Sequence, residues 1–338
     1  MSVTRSGEGL AQLESLLAIG GPKLTRRLAQ AERRLSEIAE SHGPGLGRHA
    51  VSTLGAGGKR LRPLVLFLCA GESATRDAVG AAVAVELVHM ATLVHDDVLD
   101  RAPIRRGQTT VFKAAGRGAA TSTGDYLFSR AFAELVATGR PEAVRTLSDA
   151  STALARGELM QRGDAWSASV SPDRYILRCE LKTAALFDAA CRLGALFSEP
   201  SSNGTMPAAV HHLGAFGARI GVAFQILDDV LDVSGPAERT GKHRGTDLLD
   251  GTITLPLILA RERDGDLRDL DLRTAVTTPE QAASVCDRIA LTGALADSRE
   301  EALGYVAEAK AALGELDLPE RQRRALELVA DGVVERYA

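Results

Sequence analysis

AVGAAVAVELVHMATLVHDDVLD, residues 78–100, decides the fold. Its first part, Ala78 to Val94, is apolar on most faces and interrupted by Glu86 and His89. A run of this length and composition reads as a helix at the centre of a bundle. The two interruptions make it a poor membrane span and a good core helix. It should end near Pro103, because the residue before proline disfavours helix. Its last turn carries Asp96, Asp97 and Asp100. The first and last of these, four residues apart, project from one helical face. Unpaired, three carboxylates in so little helix would repel one another. Oxygen-rich clusters of this kind suit Mg²⁺, which is usually shared with substrate phosphates and retained waters.

The same pentapeptide, DDVLD, recurs at residues 228–232, again at the end of an apolar stretch. Two such clusters can hold metal ions on either side of one diphosphate, a site for ionising a phosphorylated substrate.

Outward from these turns, nearly every long segment has helical rather than alternating periodicity. Leu10 to Ala39 is apolar at Leu13, Leu16, Leu17, Leu24, Leu28 and Leu35, with charges between. Further helices are expected over 117–138, 141–163, 172–197, 207–233, 255–263, 279–291, 296–313 and 319–337. Pro141, Pro172, Pro256 and Pro319 stand near proposed starts, where proline is tolerated. No strand-like run recurs with hairpin turns. Ser198 to Pro207 is the best candidate linker, yet an aspartate cluster lies on each side of it. The expectation is therefore all-α, one domain over 1–338: a bundle of long antiparallel helices.

With 338 residues, 45% hydrophobic and 4% aromatic, the composition is that of a soluble globular protein. A net charge of −4, from 40 basic and 44 acidic residues, argues against a nucleic-acid partner recruited by bulk charge. Cys69, Cys179, Cys191 and Cys286 are scattered without a CxxC pair and read as buried free thiols in a reducing compartment. The N-terminus lacks a signal-peptide layout, so a cytoplasmic location is expected.

Several residues near the clusters gain meaning from them. His89 lies seven residues before Asp96 on the same helical side, about 10 Å away. Arg105 and Arg106 follow the helix that ends at Asp100; alone they would be a solvated loop, but beside three aspartates they suit a diphosphate, since guanidinium forks two phosphate oxygens. Gly57-Gly58-Lys59-Arg60-Leu61-Arg62-Pro63 places glycines before cations, which can surround a phosphate, although no P-loop is matched. Gln225 shares a face with Asp228. Lys182 and Thr183 sit in an otherwise apolar helix, where a lysine either snorkels outward or points into a cavity. His95 reads as a hydrogen-bonded histidine at a helix end rather than a metal ligand.

Six ordered blocks now stand together: GGKRLRP, ELVHMATLVHDDVLD, RRG, GDYLFSRAF, the KT of residues 182–183, and FQILDDVLDVSG followed by GK. Over about Gly57 to Pro256 the chain resembles the trans-isoprenyl diphosphate synthases, the polyprenyl synthetase family. The resemblance implies an all-α bundle around a deep central cavity (the isoprenoid synthase fold), with the clusters facing each other at its mouth. It implies head-to-tail condensation of isopentenyl diphosphate onto an allylic diphosphate, and a homodimer. Asp96, Asp97, Asp100, Asp228 and Asp232 would then hold two or three Mg²⁺ ions. Arg105, Lys182 and Lys242 look like allylic-diphosphate ligands, while Lys59, Arg62, His89 and Arg106 match the isopentenyl-diphosphate site. Gln225 matches a polar residue beside the allylic headgroup, and Thr183, of the KT block, is counted among the substrate-binding residues. The catalytic set is Asp96, Asp97, Asp100, Lys182 and Asp228. One departure stands out: Thr252 occupies a position where the family usually has lysine, and Arg244 is a candidate substitute.

Product length in such an enzyme depends on the residues one to two turns before Asp96. Ala91 and Thr92 are small, so the cavity is expected to run deep, with Phe128 or Phe132 as its floor. The expected product is medium to long, about six to eight isoprene units, for a quinone side chain. The alternatives are a short-chain farnesyl or geranylgeranyl synthase and a class I terpene cyclase.

Overall fold

The computed structural model describes residues 7–41, 43–55, 60–105, 107–199, 206–235 and 244–335. The chain is 82% helical. The long elements are α1 (Gly7–Glu40), α2 (Gly43–Gly55), α3 (Leu61–Ala70), α4 (Ala78–Leu99), α5 (Val111–Val136), α6 (Pro141–Asp164), α7 (Pro172–Cys179), α8 (Ala185–Leu196) and α9 (Met206–Ser234). Later helices include Leu255–Arg263, Pro279–Leu291, Ala294–Gly314 and Glu320–Glu335. Between α4 and α5 lies a two-residue antiparallel ribbon, Ile104–Arg105 with Gln108–Thr109, which the sequence reading did not anticipate. It also missed α2 and α3.

Local chemistry sets most of these boundaries. Thr110 caps α5 by accepting from Lys113 N at 3.1 Å. Gly116, at φ 83°, then kinks that helix, which is why periodicity placed its start at 117. Ser171 caps α7 ahead of Pro172, and Thr278 with Gln281 forms a capping box on Pro279–Leu291. In the middle of the expected helix over 172–197, Glu180–Ala184 is a π turn joining α7 to α8. That segment contains Lys182 and Thr183.

Contacts divide the chain into two compact units. The first comprises residues 1–151, 186–215 and 313–329; the second comprises 152–185, 216–312 and 330–338.

In the first unit α4 is the core element, packed by α1, α3 and α5. Among the described residues it is the one helix long and apolar enough to cross a membrane, but its Ala81–Val88 segment is buried throughout in the protein. Glycines let α5 approach α4: a Cβ at Gly124 would lie 2.3 Å from His95 Nε2, and one at Gly80 would lie 3.6 Å from Glu134 O. These two contacts run in opposite senses along the two helices, so the pair is antiparallel. Arg34 of α1 forks Glu134 of α5 at 2.8 and 3.1 Å, and Tyr126 donates to Ile38 O at 2.6 Å.

In the second unit the π turn is pressed from two sides. A Cβ at Gly157 of α6 would lie 2.7 Å from Lys182 N, and one at Gly221 of α9 would lie 2.4 Å from Ala184 Cα. Both are closer than real Cβ atoms stand, so only glycine fits at either position without displacing the turn.

Candidate active site

The first aspartate turn closes α4. Asp96 is half-buried, Asp100 is exposed, and Asp97 is buried at 6%. Asp97 is held by Arg105, whose Nε donates to Oδ1 at 2.5 Å. The middle carboxylate is thus anchored inward by the arginine expected to bind phosphate, while the first and fifth stand on the open side. His95 Nε2 lies 3.2 Å from Asp125 Oδ1, which bears out its reading as a partnered histidine.

The basic turn before α3 is held by Arg60, which adopts a left-handed φ of 45° at the head of the helix. Arg60 reaches Glu32 of α1 at 2.5 Å, Glu86 of α4 at 2.8 Å and Leu54 O at 3.3 Å. Glu86, one of the two polar breaks in the core helix, is therefore a buried counter-charge. Arg62 sits on the first turn of α3 with its guanidinium 4.5 Å from the centre of the Phe187 ring. His89 lies on α4, its carbonyl accepting from Thr92 Oγ1 at 2.8 Å. Lys59 and Arg106 fall outside the described residues.

The second aspartate turn closes α9 in the other unit. Asp228 is exposed and Asp232 half-buried, while Asp229 is buried at 4%. Tyr175 Oη donates to Asp229 Oδ2 and Gln225 Nε2 to Asp229 Oδ1, each at 2.7 Å. Thr183 Oγ1 donates to Gln225 Oε1, also at 2.7 Å. This chain ties the π turn to the aspartate turn. Burial first, then Asp247, pushes the Asp229 carboxyl up, against the pull of its two donors and Arg178. Burial and Asp229 likewise raise the Tyr175 phenol, which stays protonated and donates.

Both pentapeptides therefore share one design. The second aspartate is an inward anchor, and the first and fifth are the outward carboxylates. Gln225 and Thr183, expected among the substrate-binding residues, engage each other here, and Gln225 also engages Asp229. Spacing placed them on the right faces but could not show that partnership. Asp232 accepts from Asp247 N at 3.2 Å, and Lys242 falls outside the described residues.

Lys182 does not snorkel. Its Nζ lies 2.5 Å from Glu158 Oε2 and 3.2 Å from Gln161 Oε1, both on α6. Burial works against the Glu158 charge, but Lys182 and Arg162 outweigh it and hold the carboxyl below its usual range. Arg244, the candidate substitute for a cation at 252, pairs with Asp287 at 2.6 Å and donates from Nε to Val233 O.

The polyprenyl synthetase model matches residues 45–290, a span containing both aspartate turns and the basic turn before α3. The chain belongs to the polyprenyl synthetase family. It is 37% identical over 274 residues to heptaprenyl diphosphate synthase component 2 of Geobacillus stearothermophilus, covering 80% of this chain and 82% of that protein. It is 38% identical over 290 residues to geranylgeranyl diphosphate synthase of Methanosarcina mazei, covering 83% and 86%. Among solved structures it resembles a polyprenyl synthase from Caulobacter crescentus, complexed with calcium and isoprenyl diphosphate. There the TM-score is 0.88 with 32% identity, over 96% of this chain and 98% of that one.

Membership in the polyprenyl synthetase family implies divalent-metal dependence, and the residues present fit a hard cation. Among the described residues no three His, Cys, Asp or Glu converge into a finished cage. Magnesium asks for less: one or two carboxylates, with phosphate oxygens and water completing its shell. Asp96 with Asp100, and Asp228 with Asp232, have that character. The chain-length candidates lie on α4 and α5. Ala91 is fully buried and Thr92 half-buried, while Phe128 and Phe132 are partly exposed with ring centres 5.4 Å apart. Tyr175, Glu158, Gln161 and Glu86 join the site through the hydrogen bonds and ion pairs they make with Asp229, Lys182 and Arg60.

Proposed function

We propose that this chain condenses isopentenyl diphosphate head to tail with an allylic diphosphate and repeats the step to give a medium-to-long trans-polyprenyl diphosphate. The observation that carries the reading is the shared design of the two DDVLD turns. Each buries its second aspartate on a protein donor and leaves the first and fifth carboxylates outward. Mg²⁺ held by Asp96 and Asp100 and by Asp228 and Asp232 would neutralise charge building on the leaving diphosphate. Lys182, aimed by the π turn, adds a fixed cation for the same leaving group. Arg62 and His89 serve the isopentenyl diphosphate. No nucleophilic side chain is needed, because loss of diphosphate generates the electrophile, and the released diphosphate takes the final proton.

Long chains are supported by Ala91, a small residue where an aromatic would stop growth early. The geranylgeranyl synthase among the relatives favours the second reading, a short product. The small residue at 91 favours the longer product. The proposed enzyme is a cytoplasmic homodimer, acting as one catalytic domain over 1–338 without a nucleic-acid partner.

The test is incorporation of labelled isopentenyl diphosphate with and without Mg²⁺, in wild type, Asp96→Ala and Asp228→Ala. Turnover should vanish with chelator and fall by several orders of magnitude in either variant, with helicity intact by circular dichroism. Near-normal turnover in Asp96→Ala would sink the assignment.

A further inference from the structure

Arg178 is a charge in an unexpected place. It lies on α7, one turn before Lys182, and is only 4% exposed. Burying a guanidinium is costly unless it answers a negative charge. Its Nη2 donates to Ile253 O, and the guanidinium stands 5.3 Å from the centre of the Tyr175 ring. Nη1 is buried and, among the described residues, has no hydrogen-bond partner. An apolar side chain would fill this space without that cost, so packing alone does not account for an arginine.

The surroundings supply a reason. The Tyr175 ring under the guanidinium carries the hydroxyl that holds Asp229, and Asp228 and Asp232 lie on the same helix end. The carbonyl that Arg178 grips belongs to Ile253, next to Thr252, where the family that the chain resembles usually has lysine. Arg244 is engaged by Asp287 and the Val233 carbonyl and does not fill that role.

We infer that Arg178 supplies, from α7, the positive charge that position 252 lacks, and so strengthens diphosphate binding at the second aspartate turn. The assignment rests on the proposed function and deepens it. Arg178 is a positioning residue, since it is buried: it acts through its field and through the Ile253 carbonyl it holds. A charge moved to a neighbouring helix keeps its electrostatic reach while freeing position 252 for a small residue.

The experiment compares Arg178→Gln and Arg178→Lys, each with Thr252 or with Thr252→Lys. Calorimetry measures binding of inorganic diphosphate with Mg²⁺, and kinetics give kcat and the two Michaelis constants. Arg178→Gln, which retains a donor for Ile253 O but no charge, should weaken diphosphate binding on the order of tenfold. It should raise the allylic KM alike and leave the isopentenyl KM unchanged. Arg178→Lys should stay near wild type, and Thr252→Lys should restore most of the binding lost in Arg178→Gln. Wild-type affinity in Arg178→Gln, or a loss that Thr252→Lys does not repair, would overturn the assignment. Failure of Arg178→Gln to fold would also overturn it, because the charge would then serve the fold. Wild-type protein that binds magnesium diphosphate yet makes no product would refute the function instead.

Discussion

Tyr175→Phe isolates a single hydroxyl at the base of the second aspartate turn. Tyr175 is fully buried, and its hydroxyl stands 2.7 Å from Asp229 Oδ2. The phenylalanine ring would keep the packing against Arg178, so only the donor is lost. A neutral hydrogen bond contributes about 0.5–1.5 kcal/mol and one to a charged group about 1.5–3 kcal/mol. Burial and Asp247 push the Asp229 carboxyl up, which places this bond between those classes. The oxygen left behind stays buried without its donor, so the expected loss is about 2 kcal/mol, or roughly thirtyfold in local opening. Because the chain divides into two units, a single melting curve need not report this loss cleanly. Hydrogen exchange of peptides covering residues 172–185 and 222–234 is the better assay, with a urea titration as a global check. Protection there should fall about thirtyfold while peptides from α4 are unchanged. A variant within about 0.5 kcal/mol of wild type in both regions would refute the anchor role of Tyr175.

Gly157→Ala and Gly221→Ala should each shift the π turn, since the added methyl would meet Lys182 N at 2.7 Å or Ala184 Cα at 2.4 Å. Overpacking of this kind costs about 1–3 kcal/mol, and the allylic KM should rise with little change for isopentenyl diphosphate; unchanged kinetics and stability would mean the turn is not clamped. The four cysteines are all buried, and burial, then Asp232, pushes the Cys286 thiol up to about 12. The reactive thiolate is therefore scarce at pH 8, and native protein should resist iodoacetamide while urea-unfolded protein alkylates at all four, as counted by intact mass. Rapid native alkylation would contradict the burial. Ala91→Phe should shorten the product without abolishing condensation, because Ala91 lies on the core helix away from the outward carboxylates; loss of all turnover would mean the residue serves packing alone.

The bundle was largely legible from the sequence because apolar periodicity and proline or glycine punctuation mark long helices well. Pro279–Leu291 and Leu255–Arg263 were placed to the residue. Helices α2 and α3 escaped for different reasons. GPGLGRHAVSTLG is glycine-rich and a poor helix former, and LRPLVLFLCA is a short apolar run whose period does not separate helix from strand. The outward aspartates were visible because they are local, repeated and four apart. Their supports were not: Tyr175 is 54 residues from Asp229, and Glu158 is 24 from Lys182. Nor does ELKTA differ in composition from ordinary helix, so the π turn left no mark. The signal that could have found it is glycine inside two helical patterns, at 157 and 221, where a packing reason is to be expected.

The measurement that tests the account most directly is chromatography of dephosphorylated products made from labelled isopentenyl diphosphate and farnesyl diphosphate with Mg²⁺. The account predicts elongation beyond geranylgeranyl, centred on about six to eight isoprene units, as the small side chain at Ala91 implies. No incorporation would contradict the proposed reaction itself. A sole product no longer than geranylgeranyl diphosphate would contradict the assignment of chain length to Ala91.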